Sequence, residues 1–379
     1  MKKILLLIGL LPLISNAQEE QAFQVLKKHS APVLGIQFSP DGKLLASGSE
    51  DKTAILWSAE TYEPLHVMAT FAFPVRGLAF YYTRESKTLL TNGDYVIKQW
   101  TLDGQPLKVI PGSNTSLWML SLSPDGKYLT AGTYEKANRI WNLGAKITLL
   151  DPLKGHEKNA LVSRFSNDSK YIVTGSLDMT LRLWDFKKDS CLRIYKGHGG
   201  NIFDVQFSPD TLTFASASDD RNIRIWKIAE DKSIQTLVGH EKGVVSLVYS
   251  KDGKYLISGS YDKSVRLWEL ATGKCIYTYY QKDEVNAISV NPDNSVFAAA
   301  LNDNTIALWH LNISEAVVNF YYPKEFQAKL DSCPLMKPKD KNETKEAYAK
   351  RQQDATKFRD DLIADFYRQY MLKPKEQVK

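Results

Sequence analysis

The most constraining feature of this sequence is the regular spacing of its tryptophans. Seven of the eight recur at intervals of 41 to 43 residues, at Trp57, Trp100, Trp141, Trp184, Trp226, Trp268 and Trp309. An acidic residue stands six positions before each of them, at Asp51, Asp94, Glu135, Asp178, Asp220, Asp262 and Asp303. The segments in between alternate polar and apolar residues, as half-buried strands do. Several short strands in each repeat of this length predict a β-propeller blade, because one small sheet must stack on its neighbours to bury both faces.

Glycine–histidine and tryptophan–aspartate pairs add a family resemblance to this spacing. The pairs are Gly155-His156, Gly197-His198, Gly239-His240 and Trp184-Asp185. With them the chain resembles the WD-repeat β-propeller family over about residues 21 to 319, as an exported bacterial member. The resemblance implies an all-β fold of seven four-stranded antiparallel blades, which we place in residues 18–319. It also implies that residues 22–27 close the last blade beside the strand ending at Trp309, although residues 315–320 could take that place.

Four repeats contain a hydroxyl, a histidine, an acid and the tryptophan at constant spacing. The sets are His29, Ser47, Asp51, Trp57; His156, Thr174, Asp178, Trp184; His198, Ser216, Asp220, Trp226; and His240, Ser258, Asp262, Trp268. A hydrolytic triad uses the same residue types, but an active site is built once and this set occurs four times. The resemblance implies a buried hydrogen-bond chain from indole to carboxylate. The other three repeats have Leu90, Ala131 and Ala299 at the hydroxyl position, and we expect those blades to be locally weaker.

The eighth tryptophan, Trp118, lies outside the series and indicates where a partner binds. In the resembling family partners often bind the top face through two positions in each repeat: the residue five after the histidine and the residue just before the acid. These positions predict a partner-binding patch of Trp118, Tyr134, Leu161, Leu177, Phe203, Tyr261, Leu34, Arg76 and Val245. Trp118 is its best single anchor, because tryptophan is enriched among binding hot spots. The alternative is that some of these side chains only pack at the channel mouth.

These observations favour a non-catalytic scaffold that binds a partner protein of the cell envelope or the secreted fraction. The sequence contains no phosphate loop, nucleophile elbow or metal-ligand spacing, so we predict no catalytic residue, no metal and no cofactor. Residues 18–319 carry 33 basic and 33 acidic side chains, a balance that argues against nucleic acid as a partner. The alternative is a channel-side propeller that binds a sugar or another small ligand, or an enzyme of that type, using Arg76, Glu50, Asp219 and Asn286.

The first seventeen residues have the pattern of a cleaved signal peptide. Lys2 and Lys3 precede an apolar run over residues 4–14, and Ser15-Asn16-Ala17 supplies small residues before the cut. An eleven-residue run is too short to cross a hydrocarbon core of about 30 Å. We therefore expect an exported protein, periplasmic or extracellular, with no transmembrane span after removal of the signal.

The C-terminal region changes in composition after the last repeat. We expect a linker over residues 320–340 and an amphipathic helix over residues 341–373. Its apolar stripe comprises Tyr348, Ala355, Phe358, Leu362, Phe366 and Tyr370, spaced three, four or seven apart. This stripe could pack against the propeller, dock to a partner or pair with a second copy of the chain.

Overall fold

The computed structural model describes residues 21–69, 71–93, 95–112, 115–340 and 343–373. These residues form two compact units, residues 21–311 and residues 312–373. The predicted signal peptide, residues 1–17, lies outside the described residues. In the parts of the chain that the structure describes, every helix is too short or too polar to cross a membrane.

The first unit consists of antiparallel sheets in chain order, which we number as blades 1 to 7. Strand β1 (Gln24–Lys27) precedes the blades and belongs to the last of them. Blade 1 contains β2 (Val33–Phe38), β3 (Leu44–Ser49), β4 (Ala54–Ser58) and β5 (Pro64–Met68). Blade 2 contains β6 (Leu78–Tyr82), β7 (Lys87–Asn92), β8 (Val96–Thr101) and β9 (Pro106–Pro111). Blade 3 contains β10 (Leu117–Leu122), β11 (Tyr128–Thr133), β12 (Ala137–Asn142) and an outer strand in two parts, β13 (Thr148–Leu149) and β14 (Leu153–Lys154).

The remaining four blades repeat the same order of strands. Blade 4 contains β15 (Val162–Phe165), β16 (Ile172–Gly175), β17 (Leu181–Asp185) and β18 (Ser190–Tyr195). Blade 5 contains β19 (Ile202–Phe207), β20 (Thr213–Ser218), β21 (Ile223–Lys227) and β22 (Ser233–Leu237). Blade 6 contains β23 (Val244–Tyr249), β24 (Tyr255–Ser260), β25 (Ser264–Glu269) and β26 (Lys274–Tyr280). Blade 7 contains β27 (Val285–Val290), β28 (Val296–Leu301) and β29 (Thr305–His310), with β1 outermost.

Contacts between first strands close the blades into a ring. The first strand of each blade contacts the first strand of the next, and β27 of blade 7 contacts β2 of blade 1. Strand β1 pairs with β29 in antiparallel register, from Gln24 opposite Leu308 to Lys27 opposite Thr305. The N-terminal segment thus closes the last blade, and the alternative segment, residues 315–320, is helical. The predicted all-β fold class, a seven-bladed propeller, is confirmed.

The hydrophobic core lies between neighbouring blades. Trp226 of blade 5, for example, packs in one cluster with Leu181 and Leu183 of blade 4 and with Phe214 of its own blade. Its side chain is fully buried. Truncating a tryptophan in such a position costs about 3–5 kcal/mol. The regular tryptophan spacing therefore marks the residue that fills the space between successive sheets.

The second unit contains three helices. They are α1 (Ile313–Tyr321), α2 (Pro323–Ser332) and α3 (Lys345–Leu372), with a 3₁₀ turn at Pro334–Met336 between the last two. The side chain of Asn312 caps α1 by accepting from the backbone N–H of Glu315, and Thr344 caps α3 in the same way. Proline suits the first turn of α2, where its missing N–H has no helical partner.

Two boundary predictions for this region are wrong. The segment predicted as a linker, residues 320–340, contains α2, whose Phe326 and Leu330 are buried. The propeller ends at Leu311 instead of residue 319, since residues 313–321 form α1. The scattered apolar residues of this segment looked like a linker because each short helix buries only two or three of them.

Four of the six residues of the apolar stripe of α3 are buried, namely Ala355, Leu362, Phe366 and Tyr370, and the other two are half-buried. Tyr370 stacks on Tyr321 with 4.8 Å between ring centroids, and Phe366 meets Tyr322 and Phe326 at 5.2 and 6.0 Å. Arg359 of α3 also forms an ion pair with Glu315 of α1. Helices α1 and α2 therefore cover the C-terminal part of the stripe, which on the sequence alone was open to a partner or a second copy.

Candidate functional site

In four blades the structure forms a continuous hydrogen-bond chain behind the tryptophan. In blade 6 the Trp268 Nε1–H donates to Ser258 Oγ at 2.8 Å, His240 Nε2 lies 2.7 Å from the same oxygen, and His240 Nδ1 lies 2.7 Å from Asp262 Oδ2. Blades 1, 4 and 5 form equivalent chains through Trp57, Ser47, His29 and Asp51; Trp184, Thr174, His156 and Asp178; and Trp226, Ser216, His198 and Asp220. All four hydroxyls are fully buried.

The direction of donation in these chains fixes the protonation states. The pKa of each aspartate is lowered, so the carboxylate is ionised and accepts from Nδ1–H, and in a neutral imidazole Nε2 then accepts from the hydroxyl. Burial lowers the pKa of His29 and of His240, which keeps both imidazoles neutral. Burial also pushes the pKa of Asp220 upward, but the hydrogen bond from His198 and two backbone N–H groups outweigh it and hold that pKa at about 2. The buried hydroxyls cannot reach a substrate, so the chains hold the blades together.

Blades 2, 3 and 7 satisfy the indole by other means. In blade 2 the acceptor is Thr91 Oγ1 at 2.9 Å, in blade 3 the backbone oxygen of Pro111 at 2.8 Å, and in blade 7 Gln281 Oε1 at 3.0 Å. Gln281 stands 28 residues before its tryptophan, as the histidine does in the complete blades. The interpretation of Leu90 as the residue at the hydroxyl position is wrong, because one residue fewer separates β7 from β8. Leu89 pairs with Trp100, which places Thr91 where Ser47 stands in blade 1.

The first strands of all seven blades line a central cavity of about 380 Å³. Six residues of the predicted patch lie on its wall: Leu34, Arg76, Trp118, Phe203, Val245 and Tyr261. Tyr134 is 46% exposed and contacts Trp118, with ring centroids 5.3 Å apart and the rings nearly perpendicular. Leu177 is half-buried and lies off the wall. The aromatic members of the predicted patch thus gather at one site, which we call the cavity mouth: Arg76, Trp118, Tyr134, Phe203 and Tyr261.

Three predicted contact residues are corrected by their burial. Leu34, Leu161 and Val245 are 7%, 3% and 8% exposed, so they have almost no surface to offer a partner. Leu34 and Val245 form part of the cavity wall, and Leu161 packs against Gly132 of the neighbouring blade. They lie at the inner ends of the blades, where adjacent first strands come close together.

Bulges at the start of the first strands position two of the cavity-mouth residues, Trp118 and Phe203. In blades 1, 3, 5, 6 and 7 the first strand contains one more residue than its partner, and Trp118, Phe203 and Asn286 lie in these bulges. A bulge bends the strand and redirects a side chain. The repeated backbone irregularity therefore redirects one side chain in each of these five blades.

The centre of the cavity mouth is a stacked pair of Arg76 and Trp118. The guanidinium carbon of Arg76 lies 4.0 Å from the centroid of the indole ring. Burial lowers the pKa of Arg76, and electrostatic interactions with Tyr134, Tyr261 and Glu50 partly offset that effect. Within the described residues the guanidinium forms neither an ion pair nor a hydrogen bond.

A buried amide that the sequence analysis missed holds this pair together. Asn92 Oδ1 accepts from the backbone N–H groups of Arg76 and Gly77, and its Nδ2 donates to the backbone oxygens of Leu117 and Trp118. Asn92 is 1% exposed, so its four bonds are shielded from water. An alignment of the repeats could have indicated Asn92, because its residue type is exceptional at that position. The other six carry Gly or Ala directly after the hydroxyl position, at Gly48, Gly132, Gly175, Ala217, Gly259 and Ala300.

Two polar side chains of the cavity wall, Asp204 and Asn286, are already bonded to the protein. Asp204 accepts from the backbone N–H groups of Val205 and Leu247 at 2.8 and 2.9 Å and pairs with Arg164 at 3.5 Å. Burial raises the pKa of Asp204. Asn286, a candidate ligand group of the alternative function, donates to the backbone oxygen of Val33 at 3.0 Å. Among the described residues, His, Cys, Asp and Glu form no cluster that could hold a metal ion.

A closed ring of seven four-stranded blades, four of them with an indole-to-carboxylate chain, defines a repeat propeller. The family described as WD domain, G-beta repeat matches residues 20–58, 104–142, 147–185, 189–227, 231–269 and 273–310, which is more than half of the chain. The chain therefore belongs to the WD40 repeat family. The six matches leave out residues 59–103, which contain three strands of blade 2, the blade with the shorter hairpin and Asn92.

Curated relatives match this chain over part of their length. It is 28% identical over 213 residues to WD repeat-containing protein 26 homolog of Arabidopsis thaliana, covering 45% of this chain and 36% of that protein. It is 27% identical over 160 residues to Transcription initiation factor TFIID subunit 5 of Caenorhabditis elegans, covering 41% of this chain and 24% of that protein. With Protein tipD of Dictyostelium discoideum the identity is 32% over 104 residues, covering 27% and 16%. The chain spans about a third of these relatives or less.

Proposed function

We propose that this chain is a non-catalytic scaffold that binds a partner protein at the cavity mouth. One observation carries the proposal. Trp118, the tryptophan outside the repeat series, is half-buried against Arg76 and Tyr134 on a rigid ring, and the face of this cluster is open to solvent. Aromatic and arginine side chains held in place at a surface are the usual anchors of protein–protein interfaces.

The names of two relatives support binding over catalysis. One is a subunit of a transcription initiation factor, and another is Echinoderm microtubule-associated protein-like 2 of Rattus norvegicus. These names describe membership of, or association with, larger assemblies. The buried hydroxyls and the hydrogen-bonded Asp204 also favour binding over catalysis, because neither presents a nucleophile or a base to the cavity.

The proposed setting is the bacterial envelope or the secreted fraction. Its support is the sequence pattern of residues 1–17, with two lysines, a short apolar run and small residues before the cut. Deleting residues 2–17 should leave the protein in the cytoplasm, and cell fractionation with an antibody to the propeller measures this. Equal export of the full and truncated chains would contradict the proposed signal.

Crosslinking and affinity capture with Trp118→Ala test the binding function. The tagged chain is expected to retain one specific envelope or secreted protein, and the variant should bind it at least about 2 kcal/mol more weakly. Titration of the purified partner by calorimetry gives the number. Tyr280→Ala is the matched control, because Tyr280 is a 66% exposed aromatic on an outer strand, away from the cavity.

Two outcomes would contradict the proposal. Equal affinity of wild type and Trp118→Ala would place the interface elsewhere. Unfolding of Trp118→Ala under conditions where wild type and Tyr280→Ala stay folded would show that Trp118 is a core residue. Thermal unfolding of all three proteins separates these outcomes.

A further inference from the structure

We propose that the cavity mouth recognises a single carboxylate of the partner protein, an aspartate or glutamate side chain between apolar residues, and that Arg76 is its receptor. This inference rests on the proposed function and adds the chemistry of the group that is bound. It assigns to Arg76 the selection of the partner and to the aromatic side chains around it the contact with the neighbouring apolar residues.

The hydrogen-bond donors of Arg76 are not used inside the protein. Its guanidinium carbon lies 4.0 Å from the centroid of the Trp118 indole, so the ring occupies one side of the group. The N–H groups of a guanidinium lie in its own plane, and no side chain or backbone oxygen of the described residues accepts a hydrogen bond from those of Arg76. A guanidinium fixed in this way can donate two parallel hydrogen bonds to one carboxylate.

The protein keeps this cation partly desolvated without a bonded counterion. Burial is the main effect on Arg76 and disfavours its charge, and Glu50, the acid that interacts with it electrostatically, is exposed and forms no ion pair with it. A buried charge without a partner is costly. An incoming anion would remove that cost and gain charge-assisted hydrogen bonds. The site is therefore electrostatically complementary to an acid.

Asn92 shows that the stacked pair is a built feature of the fold. Its amide is the side chain that bonds to the backbones on both sides of the Arg76–Trp118 contact, at the starts of blades 2 and 3. Six repeats carry Gly or Ala at that position, so the asparagine serves this junction and no other. The amide fixes the two backbones before any partner arrives, which reduces the entropy that binding must cost.

The surroundings favour one carboxylate over a phosphate or a polyacidic segment. Within the described residues Arg76 is the cation that lies over a ring of the cavity mouth, whereas phosphate sites use a cluster of cations. Lys242 and Lys263 are engaged in surface ion pairs with acids at 2.9 and 3.0 Å. Glu50 and Asp219 are exposed at the same end of the propeller and would repel additional negative charge. Trp118, Tyr134, Phe203 and Tyr261 offer apolar surface to the residues on either side of the acid.

A random twelve-residue peptide library selected on the full chain tests the inference. Peptides that depend on Trp118 should be enriched in one Asp or Glu with apolar neighbours. A synthetic peptide from this set is then measured by fluorescence anisotropy against wild type and Arg76→Gln. We expect the Arg76→Gln variant and the peptide with Gln in place of its acid each to weaken binding about tenfold or more. Combining the two changes should weaken binding little further.

The results separate this inference from the proposed function. Peptides that need Trp118 but carry no acid, with affinities unchanged by Arg76→Gln, would overturn the carboxylate receptor and leave the binding function standing. Absence of any peptide dependent on Trp118 would overturn both. A phosphoserine peptide that binds more than tenfold tighter than its glutamate counterpart would show that the site takes phosphate instead. Unchanged thermal unfolding of Arg76→Gln excludes a folding defect, and Arg76→Lys should restore only part of the affinity, since lysine cannot form the two parallel bonds.

Discussion

Blades 1, 4, 5 and 6 differ from blades 2, 3 and 7 in how they satisfy the same buried indole. The first group uses a hydroxyl, an imidazole and a carboxylate in series, as in Trp268, Ser258, His240 and Asp262. The second group uses one acceptor each: a threonine, a backbone carbonyl and a glutamine amide. What the fold requires is an acceptor for the tryptophan N–H, because a buried unsatisfied donor is costly. The longer chain adds a link between the indole and the turn.

The blades with single acceptors also carry the individual features of this protein. Arg76 and Asn92 belong to the blade 2 region, and Trp118 and Tyr134 to blade 3. Because these blades depart from the repeat pattern, they contain residues whose contacts occur at a single junction of the ring. The comparison teaches that regular repeats stabilise the scaffold, while departures from the repeat mark the Arg76–Trp118 pair of the candidate site; Phe203 and Tyr261 come from blades 5 and 6.

Acidification should produce the largest loss of stability. The loss should be greatest in blades 1, 4, 5 and 6, which contain the full hydrogen-bond chain. The pKa of Asp220 is about 2 in the fold against an ordinary 3.8, so its stabilisation is present above pH 3.8 and is lost as the pH falls towards 2. The pKa of His29 and His240 is lowered from 6.5, so the unfolded chain takes up a proton first and stability falls below pH 6.5. Both effects have the same sign, and stability decreases from pH 7 to pH 3.

Hydrogen exchange followed by mass spectrometry measures this blade by blade. After correction for the intrinsic pH dependence of exchange, peptides from blades 1 and 6 should lose protection between pH 7 and pH 5 before those of blades 2 and 3. Uniform loss across the ring would show that the chains act only through global stability. A flat profile from pH 7 to pH 5 would show that the imidazoles are not held neutral.

His198→Ala in blade 5 should be the most destabilising of the single substitutions proposed for this comparison. It removes one partner from the buried Ser216 and one from the partly buried Asp220, and each loss costs about 1–3 kcal/mol. We expect a decrease of about 3 kcal/mol in the free energy of unfolding, measured by urea titration.

Two comparators sharpen this measurement. Thr91→Val in blade 2 removes the acceptor of one indole and should cost about 1–2 kcal/mol. His66→Ala, at a half-buried histidine outside the chains, should change stability by about 0.5 kcal/mol or less. An equal cost for His198→Ala and Thr91→Val would mean that the imidazole and carboxylate add nothing beyond an acceptor for the indole.

Asn92→Ala places in blade 2 the residue that blades 5 and 7 carry at that position. It leaves the N–H groups of Arg76 and Gly77 without their acceptor, and we expect destabilisation of about 2 kcal/mol. Exchange of these two amides, followed by NMR, should accelerate more than that of amides in blade 5. Unchanged exchange would show that the amide does not hold the Arg76–Trp118 junction.

The sequence predicted the blades because their periodicity reflects a physical repeat. The spacing of tryptophan and acid located seven blades, and the pattern also indicated Trp118 as an outlier near Tyr134. The pattern placed Leu90 at the hydroxyl position because counting back from Trp100 assumes that every hairpin has the same length. The hairpin between β7 and β8 is one residue shorter, so Thr91 occupies that position. Burial of Leu161 and the bonds of Asn92 depend on how closely neighbouring blades approach, which a single repeat does not encode. Helix α2 was missed because its two buried residues are too few to show a period.

The smallest predicted effect concerns the turn that follows the structural acid. Arg221 in blade 5 and Asn304 in blade 7 occupy the same position, and both have a φ of 71°. A positive φ is unfavourable for most side chains and better tolerated by asparagine, whose short polar side chain can bond locally. Arg221 is exposed, so Arg221→Asn should raise the free energy of unfolding by about 0.5 kcal/mol in urea titration. The reverse change, Asn304→Arg, should lower it by a similar amount. If both substitutions are neutral, the blades with the full hydrogen-bond chain differ from the blades with single acceptors only in those hydrogen bonds and not in the strain of their turns.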